Sequence, residues 1–327
     1  METYKKKDKI SILKRLLPII FGILAILEYL YFPNYDENML ASPVYLYFLT
    51  FLIVLYGIFF VISFKNKQVK NKLTYKAPLF TFIFVVLIVF DLLTLKFSIL
   101  PLPYFAWIDR IMNSMLADKS FLLESTLASL KLLFTGYFIG AVLGIISGIF
   151  AGYSKKVDYW LDPFLKLLGP IPTTTWIPVV MVLATSLFGG AVFIIALGVW
   201  FQTTLATMTG IKNVDNSYYE AARTLGASEY ELVRKIAIPS ASPNIFQGLI
   251  SAMSSACTSL IVAEMLGVES GLGWYITWKS SWADYSSMYG AIILLAITFI
   301  IVNMILKKIS NRVLIWQKED WDEEVRI

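Results

Sequence analysis

The chain has 327 residues, of which 57% are hydrophobic and 16% are charged, and its mean hydropathy is +0.69. Soluble domains contain about 45–50% apolar and about 25% charged residues, so this composition excludes an ordinary soluble domain and indicates a membrane protein. The net charge is +5, and the single cysteine and the absence of histidine exclude an internal disulfide and histidine-based zinc or proton-relay sites.

Apolar runs of about 20 residues, the length that crosses a hydrocarbon core of about 30 Å, recur along the chain. The first run follows a basic N-terminus without a small-residue cleavage site, which predicts a retained helix rather than a cleaved signal peptide. We therefore expect an all-α polytopic membrane protein with eight transmembrane helices, at residues 16–32, 43–64, 78–99, 121–152, 168–187, 191–211, 244–266 and 286–306.

Basic residues are concentrated in alternate loops. If the N-terminus is cytoplasmic, 23 of the 28 Lys and Arg residues fall in cytoplasmic segments. The loop from Pro33 to Ser42 instead carries Asp36 and Glu37 and no basic residue. Because cytoplasmic loops are enriched in Lys and Arg, this pattern predicts a multi-pass protein of the cell membrane with both termini in the cytoplasm.

A lysine-rich linker, Lys65 to Lys76, separates the first two spans from the remainder. We predict an N-terminal basic segment with an additional two-helix hairpin over residues 1–77, a transmembrane domain over 78–310 and a cytoplasmic tail over 311–327. The mixed segment 101–119 predicts an amphipathic helix at the outer membrane interface, although packing alone would explain its pattern equally well.

In the predicted fourth span, glycine recurs at every fourth residue, so one stripe of the helix has no side chains. The backbone of another helix can approach such a stripe closely. Helix packing is the plain interpretation and a sliding or gating surface is the alternative for these residues: Gly136, Gly140, Gly144, Gly148 and Gly152.

Three residues in or near the spans are candidates for a translocation pathway. Lys131 lies about 15 Å into the predicted fourth span, where a charge is costly and usually functional, and a structural ion pair is the alternative. Trp176 lies in a segment with three prolines, which predicts either a broken or re-entrant helix beside the pathway or an interfacial turn. Glu264 lies near the outer end of the predicted seventh span.

The polar segment from Lys212 to Pro243 carries its own folding signals. Two S-x-x-E capping boxes, at Ser217 and at Ser228, predict two short helices, and Gly226 between them can take the positive φ that ends the first helix. We expect Pro239 and Pro243 to end the second helix.

Aromatic and aliphatic side chains on this segment are expected to be exposed. Tyr218, Tyr219 and Leu225 would face water on the cytoplasmic side. An ordered, partly apolar surface of this kind predicts a protein partner.

The same segment resembles the EAA loop of type I ABC importer permeases, whose pattern is E-A-A, three residues, Gly, nine residues and I-x-L-P. Glu220, Ala221, Ala222 and Gly226 match it, and Ile236 to Pro239 match it with Ile238 in place of leucine. Further stretches over residues 115–307 resemble the nitrate, sulfonate and taurine branch of these permeases: Leu161–Pro163, Pro170–Pro172, Trp176–Pro178, Arg223–Ser228, Ala263–Gly267 and Ser270–Gly273. Lys131 and Thr175 depart from it, since arginine and alanine are usual there.

The resemblance implies a MetI-like transmembrane core and a coupling loop that docks on a separate ATPase. It also implies an extracytoplasmic substrate-binding protein and a second permease copy or a paralogue, and it implies coupling roles for Tyr219, Glu220, Ala221, Ala222, Leu225, Gly226, Ala227, Ser228, Ile236 and Pro239. The chain has no Gly-Lys dipeptide and hence no phosphate-binding P-loop. We therefore expect no catalytic residue, metal or cofactor in this chain, because the partner ATPase would bind ATP and Mg²⁺.

The substrate that the resemblance implies is a small solute, either a nitrate-, sulfonate- or taurine-like anion or a vitamin precursor. An ion-driven secondary transporter is a competing function, motivated by Glu28, Asp91, Lys131 and Glu264 in or near spans. An intramembrane enzyme is a third class, but the sequence offers no convincing nucleophile and base or metal-ligand pattern.

Overall fold

The computed structural model describes residues 2–35 and 43–316, with side chains described from Ile12 onward except for Pro43. All regular structure in these ranges is helical. The predicted acidic loop residues Asp36 and Glu37, and residues 317–327 of the predicted tail, lie outside them.

The α-helices are, in chain order, α1 Glu2–Tyr31, α2 Pro43–Lys65, α3 Lys67–Asp91, α4 Ile108–Ala117, α5 Lys119–Tyr153, α6 Lys155–Leu168, α7 Ile177–Leu183, α8 Leu187–Lys212, α9 Asn216–Thr224, α10 Glu229–Glu231, α11 Ile238–Leu266, α12 Leu272–Ser281 and α13 Tyr285–Val313. Two π-helical turns, Leu92–Lys96 and Leu232–Ala237, and one 3₁₀ turn, Thr173–Trp176, extend or connect them.

Within the described ranges, six helices are long and apolar enough to cross a membrane. They are α2, α3 with its π turn, α5, α8, α11 with the turns before it, and α13, and they coincide with six of the eight predicted spans. The predicted first span, 16–32, lies in α1, where Lys14, Arg15 and Glu28 interrupt the apolar sequence, and α1 is not among the six.

The predicted fifth span, 168–187, is a broken helix rather than a straight one. α6 ends at Leu168, and the helix resumed at Thr173–Leu183 is bent from it by 83°. Pro170 and Pro172 have no N–H to continue the hydrogen-bond ladder, whereas Pro178 lies in the first turn of α7, where that donor is not needed. The predicted bend is confirmed, and the seven residues of α7 rise only about 10 Å.

The helices form two compact units. The first comprises Met1–Lys119 with Lys279–Gly290, and the second comprises Ser120–Trp278 with Ala291–Ile327. These units are defined by packing, and the sequence boundary after residue 77 stays a prediction.

The first unit buries charged groups as well as an apolar core. The Lys96 ammonium donates hydrogen bonds to the carbonyl oxygens of Tyr29 at 2.9 Å and Phe32 at 2.8 Å. The Asp109 carboxylate accepts from the Tyr29 hydroxyl at 2.8 Å and from the Tyr45 amide at 3.0 Å. These bonds offset the cost of burial and tie α1, α2 and α4 together.

The segment predicted as an interfacial helix over residues 101–119 contains α4. Beyond its end, the Lys279 ammonium lies 2.8 Å from the Asp118 carboxylate and 3.3 Å from that of Asp284. Burial alone would lower the pKa of Lys279, but the hydrogen bonds and charges of Asp118 and Asp284 outweigh it and raise that pKa.

Candidate functional site

The first loop helix, α9, begins at a different residue from the one predicted. The Asp215 carboxylate accepts a hydrogen bond from the Ser217 amide at 2.8 Å, so Asp215 is the N-cap. That amide also lowers the pKa of the Asp215 carboxyl. The predicted Ser217–Glu220 capping box is therefore wrong, and the Glu220 carboxylate is exposed and has no hydrogen-bond or ion-pair partner among the described residues.

The hydrogen bonds at the end of α9 give a structural reason for the spacing between Ala222 and Gly226. The Ala227 amide donates to the Ala222 carbonyl at 3.0 Å, and the Gly226 amide donates to the Arg223 carbonyl at 2.9 Å. These are the two bonds of a Schellman motif, in which the C′ residue adopts a left-handed conformation. Gly226 has φ +82°, as predicted, and a Cβ there would meet nothing within 4 Å.

The second loop helix begins as predicted. The Ser228 hydroxyl accepts from the Glu231 amide, and the Glu231 carboxylate accepts from the Ser228 amide at 3.0 Å, which confirms that capping box. The Glu231 carboxylate also lies 2.8 Å from the Lys235 ammonium.

The second loop helix does not end at the prolines. The π-helical turn Leu232–Ala237 leads directly into α11, so helical structure is continuous from Glu229 to Leu266. The predicted helix end at Pro239 and Pro243 is wrong. Pro239 occupies the start of α11, where a missing N–H is tolerated, and the preceding π turn shifts the hydrogen-bond pattern. The second loop helix is therefore continuous with a membrane-spanning helix.

Side chains of the loop are anchored to the end of α5. The Tyr153 hydroxyl donates a short hydrogen bond to the Glu229 carboxylate, which also lies 3.2 Å from the Arg223 guanidinium. The Tyr219 ring lies edge-on to the Tyr153 ring, with centroids 6.1 Å apart. The prediction that Tyr219 is exposed is wrong, because it packs on the cluster around Ile211, and this burial raises its pKa.

The outward face of the loop combines apolar groups with a charge. Leu225 is 89% exposed, Tyr230 69% and Tyr218 62%. The unpaired Glu220 carboxylate lies on α9 between Tyr218 and Leu225 in sequence. Tyr230 was not predicted from the sequence, although its place two residues after the Ser228 cap could have indicated it.

A cleft of about 650 Å³ lies beside this face. Its lining includes Tyr153, Asp158, Lys212, Glu220 and Arg223, of which Lys212 and Asp158 form an ion pair at 2.7 Å. The cleft therefore has walls from α5, α6, α8 and α9.

The five stripe glycines of α5 lie against α8. A Cβ on Gly140 would lie 2.4 Å from the Ala196 carbonyl oxygen, and one on Gly148 would lie 2.5 Å from the Thr207 Cβ. Each glycine faces the α8 residue that is 59 positions later: Ile195, Val199, Thr203, Thr207 and Ile211. The two helices thus run parallel with constant register, and their backbones approach as small residues allow.

Glu264 is 1% exposed and belongs to a buried hydrogen-bond network. Its carboxylate accepts from the Ser129 hydroxyl at 2.7 Å and from the Gly273 amide at 2.8 Å, and the Ser129 hydroxyl accepts from the Leu272 amide at 2.9 Å. The network caps the start of α12. Gly271, with φ +111°, leaves room for this carboxylate, because a Cβ there would lie 2.2 Å from Oε1 of Glu264.

The three predicted pathway residues occupy different environments. Lys131 is exposed, and its ammonium lies 5.8 Å from the centre of the Phe188 ring without an ion-pair partner among the described residues. Trp176 is half-buried and lines a cavity of about 130 Å³ together with Gln202, whose Oε1 is buried with no hydrogen-bond partner among the described side chains. Glu264 is held in the network above, so the structure gives the three no common contact in its described part.

The other two acidic residues that motivated an ion-driven transporter lie in the first unit. Asp91 is fully buried, and neither of its carboxylate oxygens has a hydrogen-bond partner in the part of the chain with described side chains. Oε1 of Glu28 has none either. Lys131 and Glu264 belong to the second unit, so the four residues do not form one cluster within either unit.

A family model for binding-protein-dependent transport system inner membrane components matches residues 140–314. A putative ABC transporter permease protein of Methanocaldococcus jannaschii is 30% identical over 202 residues, which cover 60% of this chain and 74% of that protein. A putative aliphatic sulfonates transport permease protein of Bacillus subtilis is 30% identical, covering 56% of this chain and 66% of its own length. A nitrate import permease protein of Leptolyngbya laminosa is 29% identical, with 57% and 67% covered.

The fold is also found in a solved structure. The inward-facing MetNI methionine ABC transporter includes a chain that matches with a TM-score of 0.50 and 18% identity, over 60% of this chain and 98% of that one. This likeness concerns the fold, and it confirms the predicted all-α, MetI-like core.

Proposed function

Because the chain belongs to the family of binding-protein-dependent transport system inner membrane components and is the permease subunit of an ABC importer, we propose that its loop from Lys212 to Pro243 couples the translocation pathway to separate ATPase subunits. The observation that carries this proposal is the outward face of the loop. Leu225, Tyr230 and Tyr218 are exposed, and so is the Glu220 carboxylate, which has no partner among the described residues. Exposed apolar groups combined with a charge are typical of a protein interface.

The connections between the loop and two membrane-spanning helices support the same role. α10 continues into α11 without a break, and Tyr153 at the end of α5 bonds to Glu229 on the loop. A push on the loop therefore acts on two membrane-spanning helices. Rigid helices that move as bodies transmit motion well.

The remaining partners follow from the family. We propose two ATPase subunits that bind ATP and Mg²⁺, an extracytoplasmic substrate-binding protein, and a pore formed with a second copy or a paralogue. The concentration of Lys and Arg in alternate loops supports cytoplasmic termini and a cytoplasmic position for the coupling loop.

The substrate we propose is a small anion, rather than the vitamin precursor that the sequence left open. Two relatives are named for transport of aliphatic sulfonates and of nitrate. Lys131 supports the same class, because it is an exposed cation in a membrane-spanning helix without an anionic partner among the described residues. Charges in such positions mark ion or substrate pathways.

Uptake by the purified, reconstituted complex tests the proposed function. The chain is placed in proteoliposomes with its ATPase and binding protein, and uptake of sulfonate, nitrate and a thiamine pyrimidine is measured with ATP present or absent. We expect uptake of an anion that requires ATP and persists when all ion gradients are collapsed. Uptake by this chain alone, driven by an ion gradient, would contradict the proposal.

The role of Lys131 is tested in the same assay. We expect Lys131→Gln to raise the KM for the anion with little change in ATP hydrolysis without substrate, and Lys131→Arg to restore most of the loss. An unchanged KM in Lys131→Gln would remove Lys131 from the pathway.

A further inference from the structure

The first compact unit contains an apolar groove between α2 and α3. Its volume is about 410 Å³. Its walls include three side chains from each helix, Leu52, Leu55 and Phe59 on α2 and Leu73, Phe80 and Phe84 on α3. Both helices are apolar enough to cross a membrane, so the groove lies at the depth of the lipid chains.

Two lysines line one end of this groove. Lys72 and Lys76 are one helical turn apart on α3, both are exposed, and neither forms an ion pair or hydrogen bond within the described residues. The sequence from Pro43 to Phe90 contains five lysines and no aspartate or glutamate. The nearest acidic residue of α3 is Asp91, about 22 Å along the helix from Lys76, so neither α2 nor α3 neutralises the charge at this end of the groove.

The length of the groove fits one leaflet of a bilayer. From Lys72 to Phe84 the helix rises about 18 Å, and the hydrocarbon of one leaflet is about 15 Å thick, half of the total. Tyr75, which is 86% exposed, lies between the two lysines in sequence. Tyrosine is enriched at the level of lipid headgroups, so this end of the groove lies at the membrane surface.

From this geometry we propose that the groove binds one anionic phospholipid, with its phosphate between Lys72 and Lys76 and an acyl chain between α2 and α3. Basic pockets between membrane helices bind acidic headgroups. A zwitterionic lipid fills the groove with the same acyl chain but leaves the two lysines without a net counter-charge, so the lysines confer the preference. The proposal does not depend on the transported substrate or on the coupling loop.

Native mass spectrometry of the full chain in detergent tests the proposal. The protein is titrated with dioleoyl phosphatidylglycerol or with dioleoyl phosphatidylcholine. We expect one phosphatidylglycerol to bind more tightly than phosphatidylcholine, and Lys72→Gln with Lys76→Gln to reduce that preference about thirtyfold. The matched control, Lys65→Gln with Lys67→Gln, removes the same charge from the same linker outside the groove and should leave the preference intact.

A second pair of variants tests the apolar part of the groove. Leu55→Trp fills the groove and should weaken binding of both lipids, whereas Ile58→Trp, on α2 but outside the lining, should not. Glycerol 3-phosphate carries the same phosphate without acyl chains and should not displace the lipid.

Three results of these titrations would overturn the proposal. They are equal binding of the two lipids by the unmodified chain, an equal loss of preference in the two lysine pairs, and displacement by glycerol 3-phosphate, which would indicate a site for a free anion. Efficient disulfide formation between copies of Leu55→Cys in a Cys257→Ser background would overturn it as well, because a second copy of the chain would then occupy the groove.

Discussion

The second unit contains two glycines with positive φ, Gly226 and Gly271, whose surroundings differ. Gly226 in the proposed coupling loop has φ +82° and open space around it, whereas Gly271 has φ +111° and the Glu264 carboxylate where a Cβ would lie. Both positions require glycine for the backbone, but only Gly271 also requires it for packing. The surface beside Gly226 is thus accessible to a partner, whereas the space beside Gly271 is filled by the Glu264 side chain of the same chain.

A substitution at Gly271, where the Glu264 carboxylate fills the space beside the glycine, should have the largest effect on stability. Gly271→Ala combines a left-handed backbone, which costs about 1–2 kcal/mol, with overpacking against Glu264, which costs about 1–3 kcal/mol. We expect the free energy of unfolding to fall by about 2–5 kcal/mol. Thermal unfolding and the yield of monodisperse protein measure this, and a variant as stable as the parent would show that the turn is not closed as described.

The glycine stripe of α5 should show the next largest effect. We expect Gly140→Ala to lower the free energy of unfolding by about 1–3 kcal/mol through overpacking, because a Cβ on Gly140 would lie 2.4 Å from the backbone oxygen of Ala196. Gly57→Ala on α2 is the matched control, because a Cβ there meets nothing within 4 Å and should stabilise the helix by up to about 1 kcal/mol. Equal effects of the two substitutions on thermal unfolding would contradict the close approach of α5 and α8.

Substitution of Gly226 should affect stability only through its left-handed backbone conformation, because a Cβ there meets nothing within 4 Å. We expect Gly226→Ala to lower the free energy of unfolding by about 1–2 kcal/mol, which is less than the loss in Gly271→Ala. The larger side chain in Gly226→Val should abolish substrate-stimulated ATP hydrolysis in the assembled complex while membrane insertion is retained. Insertion is followed by the amount of chain in washed membranes. Full stimulation in Gly226→Val would separate the loop from coupling.

The smallest effect is expected at the anchor between the loop and α5. Tyr153→Phe removes the hydrogen bond to Glu229, whose typical contribution is about 0.5–1.5 kcal/mol, and leaves the ring contact with Tyr219. We expect a small loss of thermal stability and a partial loss of substrate-stimulated hydrolysis. A loss as complete as in Gly226→Val would show that the hydroxyl does more than anchor the loop.

Helix content and the position of the loop could be predicted from the sequence because they depend on long apolar runs and local caps. Ser228 with Glu231 formed the expected box, since both partners lie within one turn. Ser217 did not, because Asp215 two residues earlier is the N-cap and Ser217 lies inside the first turn of α9.

Other features depend on tertiary contacts that no local pattern specifies. The helix continues past the prolines at 239 and 243, and no local pattern predicts the π turn that precedes them. The glycine stripe predicted close packing, but its partner α8 and the constant register emerged only in the fold. Glu264 was singled out as an intramembrane charge, yet its hydrogen bonds join residues as distant in sequence as Ser129 and Gly273.

Single-cysteine cross-linking to the ATPase subunit tests the central claim, that the outward face of the coupling loop is the docking surface. In a Cys257→Ser background, Leu225→Cys is compared with Val313→Cys, which is also exposed and lies on the same proposed side of the membrane. We predict efficient cross-linking of Leu225→Cys that changes when ATP is bound, and little from Val313→Cys. Equal cross-linking of the two, or none from Leu225→Cys in a complex that hydrolyses ATP, would contradict the claim.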